Sequence, residues 1–171
     1  MPISFKDDLS VEEVRRLLTY DAVTGKLFWR ESVNSRAQKG SEAGHLHARW
    51  GYIIITIRGK KYKANRLAWL ITHGAWPSAE LDHRNGNNAD NRLMNLREAT
   101  TLQNRCNSRM MRNNTSGRKG VYWDKRSQRW FAKIQINHKD RYVGFFDLFD
   151  DACAARADAE QRYHGEFARA A

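Results

Sequence analysis

Residues 80–107, ELDHRNGNNADNRLMNLREATTLQNRCN, constrain the fold more than any other stretch of the chain. A short apolar approach ends at Asp82-His83, Leu96 lies in a second short strand, and Arg84-Asn85-Gly86-Asn87 between them is a turn-forming cluster. An Asn- and Asp-rich run of this kind does not continue a regular element. These side chains bond their own backbone, and Asn and Gly tolerate left-handed conformations. The segment therefore reads as two strands around a long polar loop containing Asp90 and Asn91. Thr100 then opens a helix, with Gln103 three residues later as its capping-box partner. Such a strand–strand–helix unit can bring Asp82, His83 and Asn104 together.

That trio suits one kind of chemistry. Cutting a phosphodiester needs a base to deprotonate water and a Lewis acid to neutralise charge on the phosphate and the leaving 3′ oxygen. Histidine titrates near neutral pH and suits the base. A carboxylate and an amide oxygen are hard ligands, suited to Mg²⁺ or Mn²⁺. A nearby Asn carbonyl can accept the other ring N–H and orient the imidazole. An isolated Asp-His pair is usually a turn element, and an Asn-rich loop is usually only a loop. Neither reading predicts several such residues at fixed intervals.

The segment LDHRNGNNADNRLMNLREATTLQNRCN resembles the HNH nuclease motif, in the HNN variant of phage and intron-borne homing endonucleases. Asn95 and Asn104 stand twelve and twenty-one residues after His83, the offsets of that family. The resemblance implies Asp82 and Asn104 as metal ligands, one divalent ion per site, His83 as general base and Asn95 as the residue that orients it. Asn91-Arg92 matches an element that braces the loop. It further implies cleavage leaving 5′-phosphate and 3′-hydroxyl ends. Upstream, YDAVTGKLFWR, the GY…I hairpin and RLAWLITHG also resemble phage relatives. Asn65 is a departure, because relatives often carry His there.

The rest of the chain frames this segment. Lys and Arg outnumber Asp and Glu by 30 to 19, a net charge of +11, which points to a polyanionic partner. No apolar run approaches membrane-spanning length, and MPISFKDDLS is not of signal-peptide type, so a cytoplasmic protein without a membrane partner is expected. Cys106 and Cys153 form no Cys-x-x-Cys pair, which argues against a cysteine zinc site. His45, His47, His73, His138 and His164 read as surface or packing residues. Periodicity predicts a helix over 9–20 capped by Ser10, a strand at 26–30, and a hairpin from Tyr52 that turns at Gly59. It also predicts a helix over 66–73 ended by Gly74.

Residues 108–117 read as a linker, and three aromatic strands and a helix from about Asp150 to Tyr163 follow, with Asp147 as N-cap. Residues 112–146 hold nine Lys or Arg against two Asp, a net of +7, while 147–171 carry −3. The cations thus belong to the strands, and alternation is expected to separate them from Trp130, Phe131 and Phe146 in the core. KGVYW, RWFAKI, YVGFFD and the Ala-rich helix resemble an AP2 domain. This implies duplex DNA contacts, for which position favours Lys119, Tyr122, Lys125, Arg129, Lys133 and Arg141.

The expected fold is α+β: a ββα-metal HNH core in residues 1–107, the linker 108–117, and an AP2-like three-stranded antiparallel sheet on one helix in 118–171. The expected activity is metal-dependent hydrolysis of double-stranded DNA by a monomer or dimer, of the homing type, with no small-molecule cofactor. A DNA-binding regulator that keeps the fold without the activity is the second reading. An RNA-binding or structural protein is the third, and the sequence offers no exposed aromatic motif for it.

Overall fold

The computed structural model describes residues 6–108, 110 and 113–168. Small antiparallel sheets and helices alternate along the chain, which divides into two units, Met1–Thr100 and Thr101–Ala171. No helix among the described residues is long and apolar enough to cross a membrane.

In the first unit the Glu13 amide donates to Ser10 Oγ at 3.1 Å, which caps α1, Val11–Leu17. The expected helix over 9–20 ends early, because its last turn becomes strand β1, Leu18–Asp21. β1 pairs antiparallel with β2, Lys26–Trp29. Asp21 shapes the turn between them, accepting from the Val23 amide at 2.9 Å and the Thr24 hydroxyl at 2.6 Å. The pairing buries Leu18, Leu27 and Trp29, and Leu18 faces Trp29 across the hairpin.

The polar stretch 31–48 is mostly irregular and ends in β3, His45–Leu46. The hairpin of β4, Ile53–Ile57, and β5, Lys60–Lys63, turns through Arg58 and Gly59, whose φ angles of 49° and 76° suit a two-residue loop. Helix α2, Ala64–His73, ends at Gly74 with φ 77°, where the Gly74 amide donates to Leu70 O at 2.9 Å. Leu67, Ala68 and Leu70 of α2 share one core with Val14, Leu17, Ile55, Ile57 and Tyr62. Truncating a side chain such as Leu67 there costs about 2–5 kcal/mol.

Arg66 of α2 donates to Ala79 O at 3.1 Å and ion-pairs with Asp7, which fixes the approach to β6, Glu80–His83. β6 pairs with β7, Leu96–Ala99, and α3, Thr101–Cys106, follows in sequence. The strand–strand–helix order is the expected one. The packing of α3 is not, because it groups with the second unit, whereas the sequence drew the first domain to residue 107. Within that unit Lys119 Nζ donates to Cys106 O at 3.0 Å and to Ser108 O at 2.9 Å.

Of the expected linker, residues 109, 111 and 112 lie outside the described residues, as do 1–5 and 169–171 of the flanking segments. Residues 114–118 form a bonded turn in which Ser116 Oγ donates to Val121 O at 2.7 Å. Strands β8, Val121–Asp124, β9, Arg129–Ile136, and β10, Lys139–Phe146, make a three-stranded antiparallel meander with a bulge at Tyr142/Gly144. Helix α4, Phe149–His164, lies on one face of it. Leu148 holds its N-cap position and provides no side-chain bond. Asp147, expected there, sits 2.8 Å from Arg129 Nε, so the strand cation claims the carboxylate.

The helix-side core joins Val121, Ala132 and Ala152 with Trp130, Val143, Phe146 and Phe149. Gly120 is needed beneath it: φ is +80°, and an added Cβ would lie 2.7 Å from Lys133 O. Phe131 is absent from this core, contrary to expectation. Strand alternation places it on the opposite face, between Tyr122 and Phe145.

Candidate active site

The β6–β7 register sets Asp82 opposite Arg97 and His83 opposite Leu96. Asp82 is 4% exposed and His83 2%. Two buried ionisable groups side by side need partners, because an isolated charge is costly away from water. Arg97, itself buried, meets Asp82 Oδ2 with Nε at 2.8 Å and Nη2 at 2.7 Å. His83 Nε2 lies 3.2 Å from Oδ1 of Asn91, and its ring is tilted against Tyr52 at 5.9 Å between centroids. Burial holds the His83 imidazole below the usual histidine range, and the Asn91 bond opposes this.

The side chain of Asn95, which the resemblance implied as the residue orienting the ring, is bonded within the loop. Its Oδ1 accepts from the Asn85 amide at 3.0 Å and its Nδ2 donates to Asp90 O at 2.8 Å. Its own carbonyl accepts from the Arg84 amide at 2.8 Å. Asn95 thus ties both ends of the loop that follows His83, and Asn91 holds the imidazole. Asn95 ends the short turn Leu93–Asn95 and is buried there.

Arg92 braces the same loop through Asp90, with Nε 2.8 Å from Oδ1, and this bond draws the Asp90 carboxyl down to about 2. The first hairpin and the β3–β4 connection add contacts the sequence did not disclose. Tyr20 Oη donates to Asn91 O at 2.9 Å, and Asn88 Nδ2 donates to Trp50 O at 2.9 Å. A Cβ on Gly25 would lie 2.5 Å from Arg92 N and 2.7 Å from Asn91 C, so the β1–β2 turn sits directly on the loop backbone. These contacts join residues up to 71 positions apart, and no local signal announces them. Arg97 was detectable, since an opposite charge directly across a hairpin from Asp82 is a favourable cross-strand pair. Asn65 is 2% exposed and its Oδ1 accepts from the Arg66 amide, so it serves the start of α2.

Asn104 lies on α3, in the second unit. Among the described residues, no three or more His, Cys, Asp or Glu side chains converge in a metal-binding group.

The cations assigned to DNA contact are dispersed. Tyr122, Arg129 and Lys133 share the sheet face away from α4. Arg129 pairs there with Asp147, and Lys133 with Asp140 at 2.7 Å. Lys125 is exposed in the β8–β9 turn. Arg141 lines a cavity on the helix side with Asp158 and Arg162, and Lys119 is bonded to Cys106 and Ser108.

Residues 62–106 match the HNH endonuclease family, a segment running from Tyr62 of β5 through the Asp82-His83 strand, its loop and α3. Protein 3.8 of Escherichia phage T7 is 32% identical over 112 residues, covering 63% of this chain and 92% of the phage protein. The chain belongs to the family of that phage protein and carries an HNH endonuclease domain. No solved structure matches it.

Proposed function

We propose that the chain is a divalent-metal-dependent DNA endonuclease of the homing type, hydrolysing phosphodiester bonds and directed to its substrate by the second unit. The observation that carries this reading is the buried His83, whose Nε2 meets Asn91 Oδ1 and which follows the buried Asp82 in the strand. With Nε2–H donating to Asn91 Oδ1, the lone pair falls on Nδ1. Nδ1 takes a proton from water as the water oxygen bonds to phosphorus. The bond from phosphorus to the 3′ oxygen breaks, and that oxygen leaves as a hydroxyl after protonation by solvent. The other strand end keeps its 5′-phosphate.

The donor chemistry of Asp82 and Asn104, a carboxylate and an amide oxygen, fits Mg²⁺ or Mn²⁺, and we assign both as ligands. When bound, such an ion supplies the Lewis acid that neutralises charge on the phosphate and the leaving oxygen. Asn95 and Arg92 keep the loop closed so that His83 does not reorient. The Arg97 pair on Asp82 supports the second reading, a DNA-binding regulator with the carboxylate permanently engaged.

Supercoiled plasmid incubated with the full chain and Mg²⁺ or Mn²⁺ separates the two. An endonuclease converts it to relaxed or linear product, and EDTA stops the conversion. A regulator retards the plasmid without cutting it under either ion.

A further inference from the structure

The sheet face of the second unit that is not covered by α4 carries four aromatic rings in one continuous patch. Tyr142 is 70% exposed, Phe145 46% and Tyr122 37%. Phe131 lies among them, with centroid separations of 5.2 Å to Tyr122, 5.8 Å to Phe145 and 5.9 Å to Tyr142. The Tyr142 and Phe145 rings are within 10° of parallel. Strand pairing creates the patch, since Phe131 stands opposite both Tyr122 and Phe145 and Lys133 opposite Tyr142. A single exposed ring needs no explanation, but contiguous exposed rings mark a surface with a partner.

The charge around the patch says which partner. Lys133 Nζ lies 5.4 Å from the centroid of the Tyr122 ring. Lys125, Arg126 and Lys139 are exposed in or beside the two hairpin turns that bound the sheet. A cavity of about 320 Å³ shares Tyr122 and Lys133 with the patch and is lined also by the exposed Arg105, while Lys119 in its wall is bonded to Cys106 and Ser108 and the buried Arg156 pairs with Glu160. Flat rings beside exposed surface cations suit a polymer with exposed π-faces and a phosphate backbone. A closed duplex presents base edges and hides the faces in its own stack. Unpaired bases present those faces.

We infer that this face binds single-stranded DNA, stacking unpaired bases on Tyr122, Phe131, Tyr142 and Phe145 while Lys133 and the turn cations Lys125 and Arg126 take the phosphates. This rests on the reading that the second unit contacts DNA, and it names the form of DNA that the rings engage. The nuclease would then hold a strand that is opened or already nicked.

The test is fluorescence anisotropy of the full chain in EDTA, with labelled oligo(dT) and a labelled duplex of the same length. Tyr142→Ala and Phe145→Ala should each weaken oligo(dT) binding by about fivefold or more, the range of one lost base stack, and change duplex binding by less than about twofold. Tyr142→Phe keeps the ring and should keep the affinity, which separates stacking from misfolding. Lys125→Gln combined with Arg126→Gln should weaken both ligands. Unchanged oligo(dT) binding in the two alanine variants, or equal losses on both ligands, overturns the inference. If the lysine–arginine pair still matters for duplex in that case, DNA contact by the second unit survives. If neither set matters, both readings fall. Plasmid cleavage by the unmodified chain is scored separately and reports on the nuclease reading alone.

Discussion

Asp82, His83, Asn91 and Asn95 in the first unit are at most 6% exposed, whereas Tyr142 and Phe145 in the second stand 70% and 46% exposed. The first unit closes a large apolar core around α2, and these four polar side chains are bonded within the β6–β7 hairpin and its loop. The second has a small core of Val121, Ala132 and Ala152 and leaves large rings in water. The difference follows from what each would have to do. A proton-transfer group gains from a fixed orientation and a low-dielectric surround. A binding surface gains from apolar area that stays exposed until its partner covers it.

The largest effect that can break this comparison is expected from Asp82→Ala. It removes the assigned metal ligand and leaves the Arg97 guanidinium buried without its carboxylate, which costs about 3–5 kcal/mol. Cleavage should be lost and the first unit should unfold at lower denaturant. Asp82→Ala combined with Arg97→Met should recover stability and not cleavage, as urea titration beside a plasmid assay would show. Recovery of both would remove Asp82 from the chemistry.

Next are the two asparagines. Asn91→Ala should lower kcat by about 10- to 100-fold, the usual cost of losing an orienting partner, with KM nearly unchanged. Asn95→Ala should instead act on stability by about 1–3 kcal/mol, because it leaves the Asn85 amide and the Asp90 carbonyl unpaired. Single-turnover rates and unfolding curves for both variants measure this split. If Asn95→Ala lowers the rate at unchanged stability while Asn91→Ala does neither, the assignment drawn from the resemblance holds and ours fails. Gly25→Ala is a milder test of the same loop. It forces a Cβ against Asn91 and Arg92 and should reduce kcat without altering the DNA salt dependence.

The smallest effect is on pH. Burial places the folded His83 value below the unfolded one, so the unfolded chain binds more protons as the medium is acidified. The contribution of neutral His83 is therefore complete above about 6.5 and is lost as pH falls from there through the lower folded value. Asp90, drawn to about 2 by Arg92, keeps its contribution until far lower pH. Thermal unfolding from pH about 8 to about 5 should show a decline that His83→Gln flattens. An identical decline in the variant would place the titration elsewhere.

Much of the frame was legible in the sequence because it depends on neighbours. Ser10 capping α1, the Arg58-Gly59 turn and the Gly74 stop each need only a few adjacent residues. The strand Leu18–Asp21 was hidden because Leu17-Leu18 also continues a helical stripe, and only pairing with Lys26–Trp29 decides between them. The order of Asp82-His83, its loop and the next strand was readable. The partner of the imidazole was not, since Asn91 and Asn95 are the same residue type. The aromatic face was missed for a similar reason: alternation sorts strand residues into two sets without saying which set the helix covers.

If a buried histidine in the first unit performs the chemistry while DNA affinity resides elsewhere, His83→Ala separates the two. Plasmid cleavage in Mg²⁺ and duplex affinity in EDTA are measured on the same preparations of wild type and variant. The cleavage rate should fall by at least about 10²-fold, in the range of a lost general base, with duplex affinity within about twofold of wild type. Cleavage within a few fold of wild type, or a loss of affinity as large as the loss of rate, would contradict that division of roles.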